Sequence, residues 1–292
     1  MTASAPPLDA LRRQIDRIDD RIHDLLMERS GMIEQIIAAK RNGQAKLRPG
    51  REAEIARRLV ARHGGHFPPP SLVRIWREII NAFTCMQGPF SIAVPEPSVD
   101  RGLWELARDH FGGTPGRDAA ASVGACLRAV VDGDVTLAVL PWNADAASWL
   151  HDLPAGGDDA PRICFGLPFV RSDAAAKTAA VAVGRVAREA TGSDRSIVAI
   201  DAPRSDGRAA IDAALREAGL EPLLAWRVAP AGGARGSATD LWVAEISGYI
   251  GADDDRCDRL TGLVGARRGS ARVLGGYAEP IVLDGPKRSS DR

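Results

Sequence analysis

The chain has 292 residues, of which 45% are hydrophobic and 26% are charged. At roughly 100–200 residues per domain, this length predicts two or three domains, each with an ordinary hydrophobic core. The 38 basic residues are balanced by 38 acidic ones. This balance excludes a global polycation or polyanion, so it gives no support for binding to nucleic acid or a membrane surface and favours a small substrate.

The cysteines and the apolar runs indicate a compartment. The cysteines lie far apart without CxxC spacing, which disfavours a zinc ribbon or a disulfide framework and fits a reducing cytoplasm; they are Cys85, Cys126, Cys164 and Cys257. No run approaches the roughly 20 apolar residues of a membrane span. The segment from Met1 to Pro7 has neither the basic start nor the apolar core of an export signal. We therefore expect a soluble cytoplasmic protein.

A long amphipathic helix is predicted first. Apolar residues recur at alternating spacings of three and four, the pattern of a coiled-coil seam; they are Leu8, Leu11, Ile15, Ile18, Ile22, Leu25, Met32 and Ile36. With a stop at Asn42-Gly43, the helix has about 34 residues and is roughly 50 Å long. Such a helix must lie along a partner helix, and antiparallel pairing with a second copy of the chain is the economical solution.

Two shorter helices complete an all-α head over residues 1–88. The second is predicted from Pro49 through Arg62, because a proline suits a first turn and glycines follow the end. The third follows the prolines at 68–70 and has one apolar face, formed by Leu72, Ile75, Trp76, Ile79, Ile80 and Phe83.

From residue 89 the pattern changes to short β-type runs that alternate with helices. An α/β domain is predicted over residues 89–190, with strands at Ser91–Val94, Val135–Leu140, Ile163–Gly166 and Ala180–Val183 and helices around Leu103–His110 and Val123–Val131. Residues 191–292 follow a βαββαβ order, which suggests a ferredoxin-like domain, with its elements at Ile197–Ile200, Arg208–Ala218, Leu223–Val228, Leu241–Ile246, Asp255–Gly265 and Arg272–Leu274 and a glycine-rich loop at Gly232–Gly236.

Candidate site residues are concentrated in the head. Arg29 occupies a seam position where an apolar residue is expected, and an unpaired guanidinium there implies an anionic partner. Lys40 follows eleven residues later, within about 20° of the same face. Lysine is scarce in this chain, with four among 38 basic residues. An interhelical ion pair or register device explains Arg29 equally well.

Further polar groups would complete such a site. Gln87, four residues beyond Phe83, adds an amide donor, and Arg51-Glu52 bring one carboxylate from the second helix. Arg12 lies 17 residues before Arg29 and on a different azimuth, so it suits the neighbouring copy's site better than its own. The set fits a small dianion that carries a hydroxyl or ether oxygen.

The head resembles the all-helical class of chorismate mutases. The resemblance is carried by Leu11-Arg12-x-x-Ile15-x-x-Ile18-Asp19-x-x-Ile22-x-x-Leu25-Leu26-x-x-Arg29, followed by Lys40, Arg51-Glu52, Ile79-Ile80 and Gln87. It implies an intertwined homodimer that rearranges chorismate to prephenate without a metal or cofactor.

The resemblance also implies roles. Arg29 and the second copy's Arg12 would hold the two carboxylates. Lys40 and Gln87 would donate to the ether oxygen, and Glu52, beside Arg51, would bind the ring hydroxyl. Two residues depart from the family pattern: Arg48 stands where Asp is frequent, and Phe83 stands where Ser is frequent.

The rest of the chain resembles the remainder of bifunctional chorismate mutase–prephenate dehydratase proteins. The stretch from Gly133 to Pro141 is similar to the dehydratase segment that ends in Leu-Pro. Thr178 matches the start of a Thr-Arg-Phe motif, but Ala179 and Ala180 replace its Arg and Phe. We therefore expect a one-lobed dehydratase-like domain without dehydratase activity.

The last domain resembles the ACT regulatory domain of those proteins. Its phenylalanine-binding motifs are not recognisable, because Asp206–Ala209 and Ala225–Val228 occupy their places. The predicted function is a chorismate mutase of aromatic amino acid biosynthesis with a non-catalytic tail. The alternative is a non-catalytic dimeric sensor or partner-binding protein, whose tail would bind an aromatic amino acid or another enzyme of that pathway.

Overall fold

The computed structural model describes residues 7–39, 47–144, 147–154, 159–173, 177–229, 239–251, 253–264 and 270–283. Lys40, the stop at Asn42-Gly43 and the loop at Gly232–Gly236 lie outside these residues. Among the described residues, no helix is both long enough and apolar enough to cross a membrane.

The head consists of the three predicted helices. They are α1 (Leu8–Ala39), α2 (Pro49–Ala61) and α3 (Pro69–Met86). Prolines stand in the first turns of α2 and α3, where their fixed φ suits a helix and their missing N–H has no intrahelical partner to lose. Gln87 is the C-cap residue of α3.

The tail is built around one mixed sheet of nine strands in the described chain, in the order β2-β1-β3-β6-β4-β10-β7-β9-β8. These strands are β1 (Ser91–Pro95), β2 (Gly116–Ala120), β3 (Leu137–Pro141), β4 (Arg162–Leu167), β6 (Ala180–Gly184), β7 (Asp194–Pro203), β8 (Pro222–Arg227), β9 (Thr239–Ser247) and β10 (Ala271–Ala278). The short strands β5 (Val170–Arg171) and β11 (Ile281–Val282) pair with each other. The helices are α4 (Pro97–Phe111), α5 (Val123–Asp132), α6 (Arg208–Glu217) and α7 (Arg256–Leu263), with a 3₁₀ turn at Ala147–His151.

The two regions of the tail follow different pairing rules. In the first, β1 lies parallel to both β2 and β3, with α4 and α5 as the connections that parallel strands require. In the second, the order β10-β7-β9-β8 with antiparallel pairing is the ferredoxin-like arrangement expected from βαββαβ.

Strands β4 and β10 join the two regions into one sheet. Gly275 pairs with Ile163 across this junction. Its φ is +137°, and a Cβ at this position would collide with the backbone of Ile163. The close approach therefore depends on glycine, and the boundary predicted at residue 190 falls within a continuous sheet.

The head also packs on the tail. Ala53 and Ala56 of α2 and Val73 of α3 form one buried cluster with Phe169, and Ala278 and Ile281 pack against it. The second and third helices thus bury their small apolar residues against tail segments rather than against α1.

Candidate functional site

Arg29 lies where α1 meets α3. Its guanidinium carbon is 4.4 Å from the centroid of the Phe83 ring. Its Nη1 is buried and has no hydrogen-bond partner, and partial burial lowers the pKa of Arg29. A guanidinium that stacks on an aromatic ring and retains an unused donor is suited to bind a carboxylate. Phe83, a departure from the family pattern, thus serves as a platform for Arg29.

Gln87 lies on the same side of α3 as Phe83. Its Nε2 donates to the carbonyl oxygen of Phe83 at 3.1 Å, and the side chain is half-buried. The contact between Ser30 Oγ and Met86 Sδ, at 3.9 Å, holds α1 against this end of α3. Two of the predicted site residues, Arg29 and Gln87, therefore both contact Phe83.

Glu52 forms a buried ion pair within the head. Its Oε2 accepts a hydrogen bond from Arg77 Nη1 at 2.7 Å, and both residues are only 4% exposed. Arg77 and Gln87 are ten residues apart on α3, about 15 Å of helical rise. Within the described chain, the partner of the Glu52 carboxylate is therefore Arg77 and not a residue of the Arg29 region.

The pair is electrostatically unusual. Burial raises the pKa of Glu52 to about 7, although the charge and hydrogen bond of Arg77 act in the opposite direction. Burial also lowers the pKa of Arg77. The ring of Phe169 lies 4.7 Å from the Arg77 guanidinium. Because each charge is costly to bury, removing either residue would leave the other as an uncompensated buried charge.

The remaining predicted residues are exposed or outside the described chain. Arg12 forms an ion pair with Asp9 at 3.3 Å and lies about 25 Å along α1 from Arg29, from the helical rise. Arg51 forms an ion pair with Glu54 at 3.1 Å. Lys40 lies outside the described residues.

Most of the predicted seam of α1 is uncovered in a single chain. Its members are 40–62% exposed, namely Leu8, Leu11, Ile15, Ile18, Ile22, Leu25, Met32 and Ile36. Ile33, off the seam, is the apolar residue of α1 that is buried. The single chain therefore leaves an apolar stripe along α1 exposed to solvent.

The burial of Arg77 and the partner of Arg48 were not predicted from the sequence. Arg77 forms a stripe with Val73, Asn81 and Thr84, all four of which are buried, and its spacing of four from Val73 was the available signal. Arg48, noted as a departure from the family pattern, donates to Glu189 of the tail at 2.8 Å. Its partner is 141 residues away, so no local pattern could identify the contact.

A second candidate site is a cavity of about 980 Å³, including its mouth, between the two regions of the tail. Its wall includes Trp142 and Trp226, whose ring centroids are 4.9 Å apart. Thr178 lines it too, accepting from Arg171 Nη2 at 2.6 Å and lying 3.0 Å from the Tyr277 hydroxyl. The other charged residues lining it are Lys177, Arg195, Arg208 and Glu245.

Comparison with known proteins identifies the head. Residues 11–88 match the family model described as chorismate mutase type II. These residues form a chorismate mutase domain.

The curated relatives are bifunctional. The chain is 29% identical over 147 residues to a bifunctional chorismate mutase/prephenate dehydratase of Stutzerimonas stutzeri, covering 48% of this chain and 40% of that protein. It is 36% identical over 95 residues to a protein of the same description from Aquifex aeolicus, covering 31% of this chain and 26% of that protein. The chain thus spans less than half the length of these relatives. Because an alignment of 147 residues is longer than the head, the first similarity includes part of the tail.

Solved structures resemble the chain more distantly. Prephenate dehydratase from Streptococcus mutans matches 66% of this chain and all of its own, with a TM-score of 0.44 and 12% identity. A protein titled GqqA, a novel type of quorum quenching acylase, matches 69% of this chain and 98% of its own, with a TM-score of 0.47 and 13% identity.

Proposed function

We propose that this protein is a cytoplasmic chorismate mutase that converts chorismate to prephenate for aromatic amino acid biosynthesis. The match of residues 11–88 to the type II family carries this proposal. The contacts of Arg29 support it, because its guanidinium stacks on Phe83 with an unused donor and the amide of Gln87 is bonded to the carbonyl oxygen of the same residue. The tail is non-catalytic in this proposal, since Ala179 and Ala180 follow Thr178.

The rearrangement needs no nucleophile from the protein, since it is intramolecular. The protein must hold the reacting ends together and stabilise the negative charge that develops on the ether oxygen as its C–O bond breaks. Arg29 binds a carboxylate and fixes the orientation of the substrate. Gln87 donates its amide N–H to the ether oxygen after releasing the Phe83 carbonyl, and Lys40 adds a positive charge there.

We propose that the working unit is a homodimer. A second α1 that packs antiparallel on the exposed seam would remove its apolar surface from water. The same pairing would carry the second copy's Arg12 toward Arg29, which it cannot reach within its own chain. The second carboxylate of chorismate would then be bound by Arg12 of the other copy.

The direct test follows the loss of chorismate absorbance with the purified full-length protein. Arg29→Ala should lower kcat/KM by about 100-fold or more, because the substrate loses the carboxylate contact that orients its reacting ends. Arg13→Ala is the matched control, since Arg13 is exposed on the same helix, and should stay within about twofold of the wild type. Prephenate should accumulate and yield phenylpyruvate only after acid treatment. A folded wild-type protein that leaves chorismate unchanged would contradict the proposal.

One observation favours the second candidate, a sensor that binds an aromatic amino acid. The tail cavity offers two tryptophan rings and four cationic side chains. Glu245, the carboxylate that lines it, already forms an ion pair with Arg195. Tryptophan fluorescence should then respond to phenylalanine, and Lys177→Ala should weaken the response. Binding without chorismate turnover would select this candidate over the mutase.

A further inference from the structure

Polar contacts fix both ends of α2 to the tail. Arg48, at the N-cap, donates to Glu189 Oε1 from Nε at 3.0 Å and from Nη2 at 2.8 Å. Arg57 donates to Thr191 Oγ1 at 2.8 Å and to the carbonyl oxygens of Ser193 and Glu279 at 2.7 and 2.9 Å. The two arginines are nine residues apart, about 13 Å of helical rise, so the tail binds α2 over most of its length.

Apolar packing covers the helix between these contacts. Ala53 and Ala56 are 1% and 2% exposed and pack with Phe169, which is itself 6% exposed. At Gly50 a Cβ would lie 3.2 Å from both Glu189 Cβ and Thr191 Cγ2. This spacing is tighter than ordinary van der Waals contact, so α2 lies as close to the tail as a glycine allows.

This contact encloses Glu52. The carboxylate follows Arg51 in α2 and accepts a hydrogen bond from Arg77 of α3. The Arg77 guanidinium in turn lies 4.7 Å from the ring of Phe169 in the tail. Helices α2 and α3 thus bury the one acid predicted to bind the ring hydroxyl of the substrate, and the tail packs on its partner Arg77. Because Glu52 is only 4% exposed, a substrate cannot reach its carboxylate in this packing.

We propose that the tail is an autoinhibitory clamp on α2, formed by Phe169, Glu189, Thr191, Ser193 and Glu279, that withholds Glu52 from the substrate site. The proposal rests on the proposed mutase function. When the clamp opens, Glu52 becomes available to the ring hydroxyl and activity rises. In this proposal the tail regulates the head without dehydratase chemistry, because its position determines the fraction of molecules in which Glu52 is accessible.

The clamp has space in which to open. A cavity of about 560 Å³, including its mouth, adjoins the ion pair and is lined by Arg77, His110 and Phe169. The Phe169 ring can therefore move without displacing a packed neighbour on every side. Arg77 Nε and His110 Nε2 are buried and lack hydrogen-bond partners, so the closed state leaves polar groups unsatisfied.

The test weakens the clamp outside the predicted site. Glu189→Gln removes the charge that binds Arg48, and Phe169→Ala removes the cover over Arg77. Both should raise kcat/KM for chorismate by about five- to tenfold, the usual size of a coupling between sites. Glu217→Gln is the matched control, since Glu217 is exposed on the tail and takes no part in the clamp. Amide hydrogen exchange in α2 should increase in the two clamp variants and not in the control.

Glu52→Gln distinguishes release of this carboxylate from general loosening. Added to Glu189→Gln, it should abolish the gain in activity while α2 still exchanges faster. Active wild-type protein with no gain in either clamp variant would overturn the clamp and leave the mutase assignment intact. The absence of turnover in the wild type and in every variant would refute the mutase assignment and the clamp with it. Since Glu189 is part of a partly exposed pair, its variant stays informative if Phe169→Ala fails to fold.

Discussion

Helices α1 and α2 belong to the same head but obtain their partners in opposite ways. The apolar stripe of α1 is 40–62% exposed in a single chain, whereas α2 buries Glu52, Ala53 and Ala56 against α3 and the tail. The exposed surface of α1 is apolar, and nothing in the described chain packs on it. The buried surface of α2 has both polar and apolar residues, and α3 and the tail already pack on it. In the two proposals above, assembly between copies and regulation within a chain therefore use separate faces of one small helical domain.

The buried pair of the α2 face should respond most strongly to substitution. Arg77→Met leaves the Glu52 carboxylate buried without its counter-ion, so we expect the free energy of unfolding at pH 8 to fall by about 3–5 kcal/mol. Urea denaturation measures the change. Arg74→Met is the matched control, because Arg74 lies on α3 like Arg77 but forms an exposed ion pair, with Asp109 of α4. Its loss should cost at most about 1 kcal/mol. Equal losses in the two variants would show that the α2 face is no more dependent on charge pairing than the surface.

The α1 face should respond to a charge placed in its stripe. Ile18→Glu puts a carboxylate into the proposed interface of both copies, and we expect dimer affinity to fall by about 100-fold or more from lost apolar burial alone. Sedimentation across a concentration range measures the affinity. Activity should fall with the dimer fraction, because Arg12 serves the other copy. Arg17→Glu changes the adjacent residue, which is outside the stripe, and should leave the dimer intact; a monomeric wild type would contradict the prediction.

The smallest expected effect is a pH dependence confined to the α2 face. The pKa of Glu52 is raised by burial to about 7 from an unperturbed value of 4.5. Between these values the folded protein holds a proton that the unfolded chain has lost, so the contribution to stability is fully present below pH 4.5 and is lost as pH rises through 7. The free energy of unfolding should therefore fall with a slope of up to about 1 kcal/mol per pH unit in this window.

Glu52→Gln isolates that contribution, because glutamine does not titrate. The difference between the wild-type and variant stability curves should slope in this window and flatten above it. Parallel curves would mean that Arg77 holds the carboxylate charged throughout. Chemical denaturation at several pH values gives both curves.

Particular residues show how far the sequence predicts the site. The face shared by Phe83 and Gln87 follows from a spacing of four on one helix, and the structure keeps them on that face beside Arg29. The position of Glu52 could not be predicted, because its location depends on Arg77, 25 residues away on another helix. The contact of Phe169 with Arg77 could not be predicted either, because it depends on an apolar cluster that joins the head and the tail.

Some elements of the fold could likewise be predicted from the sequence and others could not. Strand β2, with the sequence Gly-Arg-Asp-Ala-Ala, has no β-type pattern and exists through its pairing with β1. The βαββαβ order of the last region was predictable, because each of its elements has its own periodicity and ends. The pairing of Gly275 with Ile163, through which this region continues the sheet of the first region, could not be predicted.

Local sequence patterns are sufficient to predict the three helices, the apolar seam of α1 and the alternation of elements in the tail. These features arise from side chains three, four or two positions apart, which interact through the geometry of one helix or strand. By contrast, the contacts of Arg48 with Glu189 and of Arg77 with Glu52, and the joining of the tail strands into one sheet, depend on the packing of the whole chain. Each of these contacts joins residues distant in the chain, and the burial that makes it strong exists only once the surrounding elements have packed.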